Sequence, residues 1–289
     1  MNLYEAHNHL NDGWLAPHHP QIFAGLAATQ VRCAVVNGSS EADWGDVAAL
    51  AKLSGSAQAR GLKIIPSYGV HPWDVGNRAP TWLDALRARL DADPQAGIGE
   101  IGLDRWMLDR AKPDDPRLAG ARRAPMEEQT EVFLAQFALA TERNLPASIH
   151  SLDATGHLFD LLRVAKRPAR GFLLHSYNGS TEQVPEFVKL GAYFSFNGSF
   201  LDPRKRRLQE VYQAIPPDRL LVETDAPAMR LPENREQFPP FTVEGNPDAR
   251  ASHPANLAAT YTALAELRGE KLETLAAQVE KNFLNLFGR

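Results

Sequence analysis

Short apolar runs alternate along the whole chain with longer stretches of helical period. The runs Leu3 to His9, Arg32 to Asn37, Lys63 to Val70, Gly97 to Gly102, Pro146 to His150, Gly171 to His175, Ala192 to Phe196 and Leu220 to Glu223 read as eight strands. Helices are predicted between them, near 42–60, 79–92, 125–143, 152–166, 180–190 and 203–214. Met126, Thr130, Phe133, Phe137 and Ala140 recur at spacings of three and four, as do Leu272, Ala276, Val279, Phe283 and Leu286. Each set forms one stripe that faces a core. Ser180, Thr181, Glu182 and Gln183 have the spacing of a capping box and mark a helix start.

Eight strand–helix pairs point to an α/β fold, a closed (β/α)8 TIM-like barrel in a single domain over residues 1–289. An open doubly wound sheet is the alternative, but it carries a glycine-rich phosphate loop at its first turn. Here the first turn offers His7, Asn8 and His9 instead. No internal repeat or linker interrupts the pattern. Two connections are long and irregular, 105–124 and 226–250. In a barrel both emerge at the rim formed by the carboxyl ends of the strands, where long loops serve as lids or binding loops.

Composition changes this picture little. A net charge of −4 excludes a chain-wide polyanion binder, so contact with nucleic acid has to come from local cations or from metals. The local clusters Arg117, Arg122 and Arg123, and Arg204 to Arg207, read first as solvated surface. No apolar run approaches a membrane span, and no secretory pattern opens the chain. The single cysteine, Cys33, excludes an intrachain disulfide and fits a cytoplasmic location. No obligate protein partner is evident.

The chemistry lies at the strand ends. His7, His9, Glu100, His150, His175 and Asp225 each close an apolar run. Imidazole and carboxylate together are the ligand set of a divalent metal. Side chains alternate along a strand, so Glu5, His7 and His9 share one face. Two histidines so spaced lie roughly 6–7 Å apart before the strand twists. Glu5, one step deeper, is placed to orient a ligand from behind, and Glu223, two residues before Asp225, is placed likewise. Glu100 stands between glycines, and a buried glutamate is costly unless paired or metal-bound.

Several motifs together make the chain resemble the TatD-type metal-dependent deoxyribonucleases of the amidohydrolase superfamily. They are Glu5-Ala6-His7-Asn8-His9, Gly69-Val70-His71-Pro72-Trp73, Gly99-Glu100-Ile101-Gly102-Leu103-Asp104, His150-Ser151, His175-Ser176-Tyr177-Asn178-Gly179, Glu223-Thr224-Asp225-Ala226-Pro227 and Asn282-Phe283-Leu284-Asn285-Leu286-Phe287. The resemblance implies one or two divalent ions, zinc, manganese or magnesium. In it His7, His9 and Asp225 hold the first ion, Glu100 bridges, His150 and His175 hold the second, and His71 contacts the scissile phosphate. The family acts on DNA as phosphodiesterases, often as exonucleases. The chain departs from the family pattern at Glu5, usually Asp, at Arg105, often an aromatic, at Leu152, usually Arg, at Ser176 to Asn178, usually Cys-Phe-Ser, and at Ser252 to Pro254. The ligand types are kept and the surrounding residues differ.

The expected mechanism is metal-activated water attacking a phosphodiester of DNA or of a small substrate. Asp225 takes the proton, and His71 and Arg105 balance charge on the phosphoryl oxygens. A lactonase, esterase or amidase with the same metal centre is the alternative, and a barrel that binds metal or nucleotide without turnover is a third reading. Trp73 and Trp106 follow rim motifs and could stack on a base or simply pack. His157 is expected in solvent, His18 and His19 near the rim, and His253 at a helix start.

Overall fold

A computed structural model of the chain describes residues 1–288, with the side chains of Pro247 and Asp248 outside the description. Arg289, the last residue of the expected single unit, is also outside it. Eight parallel strands form one sheet in sequential order: β1 (Leu3–Asn8), β2 (Val31–Asn37), β3 (Lys63–Tyr68), β4 (Gly97–Asp104), β5 (Ala147–Leu152), β6 (Phe172–Leu174), β7 (Ala192–Asn197) and β8 (Leu220–Glu223). The strands read as near-continuous apolar runs because helices cover one face and the barrel interior the other. Just beyond β8 the sheet meets β1: Asp225 N–H donates to His7 O (3.1 Å) and His9 N–H to Ala226 O (2.8 Å). These two bonds draw the ends of β1 and β8 together, and with them His7, His9 and Asp225.

The outer helices repeat the predicted stripes. In the helix Met126–Arg143, Phe133, Phe137 and Ala140 are buried, with Phe137 against Phe172 at 5.7 Å. The same helix carries two buried glutamines that grip strand ends. Gln136 exchanges both of its amide hydrogen bonds with the backbone of Val70, and Gln129 does the same with Asp104. The last helix, Leu272–Phe287, packs Phe283 on Tyr4 (5.0 Å), and Asn282 donates to the carbonyls of Pro217 and Leu220. It thereby covers the β8–β1 seam.

Some expected bounds shift. The stretch 42–60 holds a helix only over Trp44–Ala51, because Ser54, Gly55 and Ser56 break it into turns. The helix His19–Ala28 has no counterpart among the predicted ones; two prolines near its start disguised it as loop. The capping box at Ser180 and Gln183 is formed. Within 226–250 a small hairpin pairs Phe241–Val243 with Asn246–Ala251. No helix among the described residues is long and apolar enough to cross a membrane.

Candidate metal centre

Glu100 stands at the centre of a cluster at the carboxyl-end rim, and its two oxygens face different partners. Oε2 lies 3.3 Å from His7 Nε2 and 3.2 Å from His9 Nε2. Asp225 Oδ1 is 3.5 Å from both of those nitrogens, which are 3.2 Å apart. Oε1 lies 2.7 Å from His175 Nε2, 3.0 Å from His150 Nδ1 and 3.4 Å from His71 Nε2. The His150 and His175 nitrogens are 3.3 Å apart. The structure therefore brings together His7, His9, His71, Glu100, His150, His175 and Asp225 from five separate strand ends and the segment after β3.

The spacings fit metal ligation. Four donors bonded to one ion at about 2.0–2.1 Å occupy tetrahedral corners roughly 3.3 Å apart. The His7 and His9 nitrogens lie 3.2 Å from each other and 3.2 to 3.5 Å from the facing oxygens of Glu100 and of Asp225. His71, Glu100 and His150 form a second group of compatible donors that shares Glu100. His7, His175 and Glu223 also lie close enough to share an ion. Glu223, however, is already occupied by the hydroxyls of Ser176 (2.5 Å) and Ser195, so we place it behind His175. Its Oε1 lies 3.7 Å from His175 Nδ1.

The outer nitrogen of each imidazole decides what the inner one can do. His9 Nδ1–H donates to Asn37 O (2.9 Å), leaving the Nε2 lone pair for a cation. His7 Nδ1 pairs with Ser148 Oγ (2.8 Å), and His150 Nε2 with Asp104 Oδ2 (3.2 Å). His71 differs. Its Nδ1 accepts from Trp73 N–H (3.2 Å), so in the neutral ring Nε2 carries the hydrogen and faces the cluster as a donor. Burial, opposed by Glu100, holds the His71 pKa below its ordinary value and keeps that ring neutral.

The charges are mutually arranged. Burial pushes Glu100 up, but His175, His71 and His7 outweigh it, and the carboxyl is held well below its ordinary value. Burial likewise opposes ionisation of Asp225, yet the His9 hydrogen bond and the neighbouring imidazoles hold it down. Asp225 takes a left-handed backbone (φ 52°), which Asp tolerates better than most residues. Gly69 and Gly102 make room: a Cβ on Gly69 would stand 2.7 Å from Glu100 O, and one on Gly102 2.0 Å from His150 O.

The supporting residues are placed as follows. Both oxygens of Glu5 are bound by Thr224, one by its N–H and one by its hydroxyl, each at 2.8 Å. Glu5 thus fixes the residue before Asp225. Arg105 is exposed at the rim and forms no ion pair among the described residues. Trp73 donates to Asp104 Oδ2 (2.7 Å) and lies 6.2 Å from Trp106, over which Arg117 sits at 4.3 Å. His157 is half-buried against Thr130 (3.0 Å) and not in solvent as expected, because its helix packs on Met126–Arg143. His18 stacks on Phe241 and His19 binds Leu10 O, so neither joins the cluster. Asp104 was not singled out from sequence as a supporting residue. Strand alternation puts it on the Glu100 face four positions on, and that signal could have found it.

Comparison with known proteins gives a consistent result. The model of the family described as TatD related DNase matches residues 4–288. A 3'-5' ssDNA/RNA exonuclease TatD of Klebsiella pneumoniae (strain 342) is 34% identical over 222 residues, covering 76% of this chain and 75% of that protein. A metal-dependent hydrolase of Bacillus subtilis (strain 168), YabD, is 30% identical over 228 residues, covering 78% of this chain and 77% of that one. The crystal structure of the TatD homolog YJJV from Escherichia coli k12 has the same fold, with a TM-score of 0.81 at 24% identity over 99% of this chain and 98% of that one.

Proposed function

Because this chain belongs to the TatD-related DNase family, a family of metal-dependent hydrolases, we propose that it hydrolyses phosphodiester bonds of nucleic acid at the Glu100 cluster. One observation carries this reading: Glu100 turns one oxygen to the His7–His9–Asp225 side and the other to the His150–His175 side, so one carboxylate would face both ions if two were bound. His7, His9 and Asp225 would hold the first ion and His150 and His175 the second, with Glu100 between them. The imidazole-rich set favours zinc or manganese, and magnesium fits the carboxylate share. Such ions, when bound, polarise a phosphoryl oxygen and bring the pKa of water toward neutrality.

The chain's own residues do the rest. Asp225 stays ionised, and its carboxylate accepts the proton of the attacking water. His71 Nε2–H donates to a phosphoryl oxygen, a role its backbone-fixed tautomer suits better than ligation. Arg105, exposed at the rim and without an ion pair among the described residues, offers its guanidinium to a substrate phosphate. Glu5 and Glu223 hold Thr224 and His175 from behind. The lone buried thiol of Cys33 suits a reducing cytoplasm.

The test is a substrate panel with metal-loaded protein: single-stranded DNA, RNA, bis(p-nitrophenyl) phosphate, lactones and amides. Chelator-sensitive cleavage of oligonucleotides is expected. Turnover of acyl substrates alone would replace this reading with a lactonase, esterase or amidase.

A further inference from the structure

β7 contributes no side chain to the Glu100 cluster, and the connection that follows it is rich in cations instead. Arg204 in that connection is neutralised by a bidentate pair with Asp202 (2.6 and 3.0 Å). Lys205 and Arg207 are not. Lys205 is half-buried, rests over the Phe200 ring at 5.5 Å and reaches only Ser199 Oγ at 3.4 Å. It forms no ion pair among the described residues. A half-buried ammonium with so little compensation is costly unless an anion completes it. Ser199 is in turn tied toward the metal centre: its N–H donates to Asn197 Oδ1 (2.9 Å), and Asn197 Nδ2–H donates to the carbonyl of Thr224 (3.0 Å), next to Asp225.

Arg207 faces the other side. It lines a groove of about 460 Å³ at the rim, together with Asp153 and Thr155 after β5, and Asn178 and Ser180 after β6. Asp153 and Asn178 follow His150 and His175 by three residues each, so the groove lies beyond the same strand ends that carry those two side chains. Two carboxylates lie nearby, and Glu182 is within electrostatic reach of Arg207, but neither forms an ion pair with it among the described residues. Asp153 pairs with Arg110 (3.1 Å), and Glu182 accepts from Ser180. Among the described residues Arg207 gives one hydrogen bond, to Asn178 O (3.1 Å), which leaves N–H groups of its guanidinium over for an anion.

We propose that Arg207 in this groove and Lys205 beside the β7–β8 rim bind the phosphodiester backbone of nucleotides adjacent to the scissile one. The inference rests on the nucleic-acid reading of the metal centre. Single strands fit because such proteins track the backbone with a cationic groove beside the active site.

The experiment uses the full-length, metal-loaded protein and its variants Lys205→Met, Arg207→Met, the double variant and the paired control Arg204→Met. Binding of a fluorescent single-stranded oligonucleotide is read by anisotropy across a salt series, beside the KM for its cleavage. The double variant is expected to bind about tenfold more weakly, with a log–log salt slope shallower by roughly 0.7 for each cation removed. Arg204→Met should leave the slope as it is. Arg207 is exposed, so its variant tests the groove without disturbing the core. Wild-type affinity and slope in Arg207→Met and in the double variant overturn the inference alone. A wild-type protein that hydrolyses bis(p-nitrophenyl) phosphate but neither binds nor cleaves oligonucleotides overturns the nucleic-acid reading and this inference with it.

Discussion

Asp104 Oδ2 lies 3.2 Å from His150 Nε2, while the opposite nitrogen of that ring faces Glu100 at 3.0 Å. The carboxylate also accepts from Trp73 Nε1–H and Met107 N–H, so each of its two oxygens faces a donor. Asp104→Asn would turn an amide NH2 toward one of those donors. Metal affinity is expected to fall about 10- to 100-fold with the fold retained. Competition with a chromophoric chelator measures it, and wild-type affinity would remove Asp104 from the support of His150.

Asp225→Asn should keep its left-handed backbone, since Asn tolerates φ near 52° as Asp does. It should also keep most of the bound metal. Turnover is expected to drop about 100-fold or more, because the amide cannot take the water's proton. Full turnover in a metal-replete variant would end that assignment.

Metal removal should cost stability as well as activity. The cluster packs five imidazoles around two carboxylates, and an ion that binds only this folded arrangement stabilises it by mass action. At a hundredfold excess over Kd the gain is about 2.7 kcal/mol. Thermal melting with chelator, then with restored zinc or manganese, reads this as a reversible fall in Tm. An unchanged Tm would argue against ion binding at the cluster.

Gly102→Ala is expected to destabilise by about 3 kcal/mol or more. The position has φ 148°, and a Cβ there would meet the His150 carbonyl at 2.0 Å, forcing β4 and β5 apart between Glu100 and His150. A urea midpoint equal to wild type would contradict this.

His253 caps the turn Pro254–Asn256 by accepting Ala255 N–H at its Nδ1 (3.1 Å), with its ring between Phe238 and Phe241, each at 4.8 Å. Burial, with His18 as the facing titratable group, lowers its pKa from 6.5 to about 4. The unfolded chain therefore binds more protons in that window, so stability is full above pH 6.5 and lost as pH falls toward 4. Protonation would also destroy the cap. The loss is about 2 kcal/mol, allowing for partial exposure. His253→Asn keeps an acceptor without the titration, and its stability should be flatter between pH 4 and 6.5. Equal pH slopes in denaturant titrations would refute the assignment.

The order of strands, the barrel and the side chains that converge at the strand ends were all legible in the sequence. Parallel strands buried on both faces leave unbroken apolar runs, and a ligand residue closing such a run is a local signal. Within that pattern, the sequence cannot say which imidazole nitrogen points inward. His9 and His71 look alike as letters, yet Asn37 O takes a hydrogen from one ring and Trp73 N–H gives one to the other, so the first offers a lone pair and the second an N–H. Nor does local sequence show that Asp104 lies behind His150, or that Lys205 and Arg207, unlike Arg204, form no ion pair among the described residues. These depend on contacts between residues far apart in the chain, whose geometry exists only once the barrel closes and the loops settle on its rim.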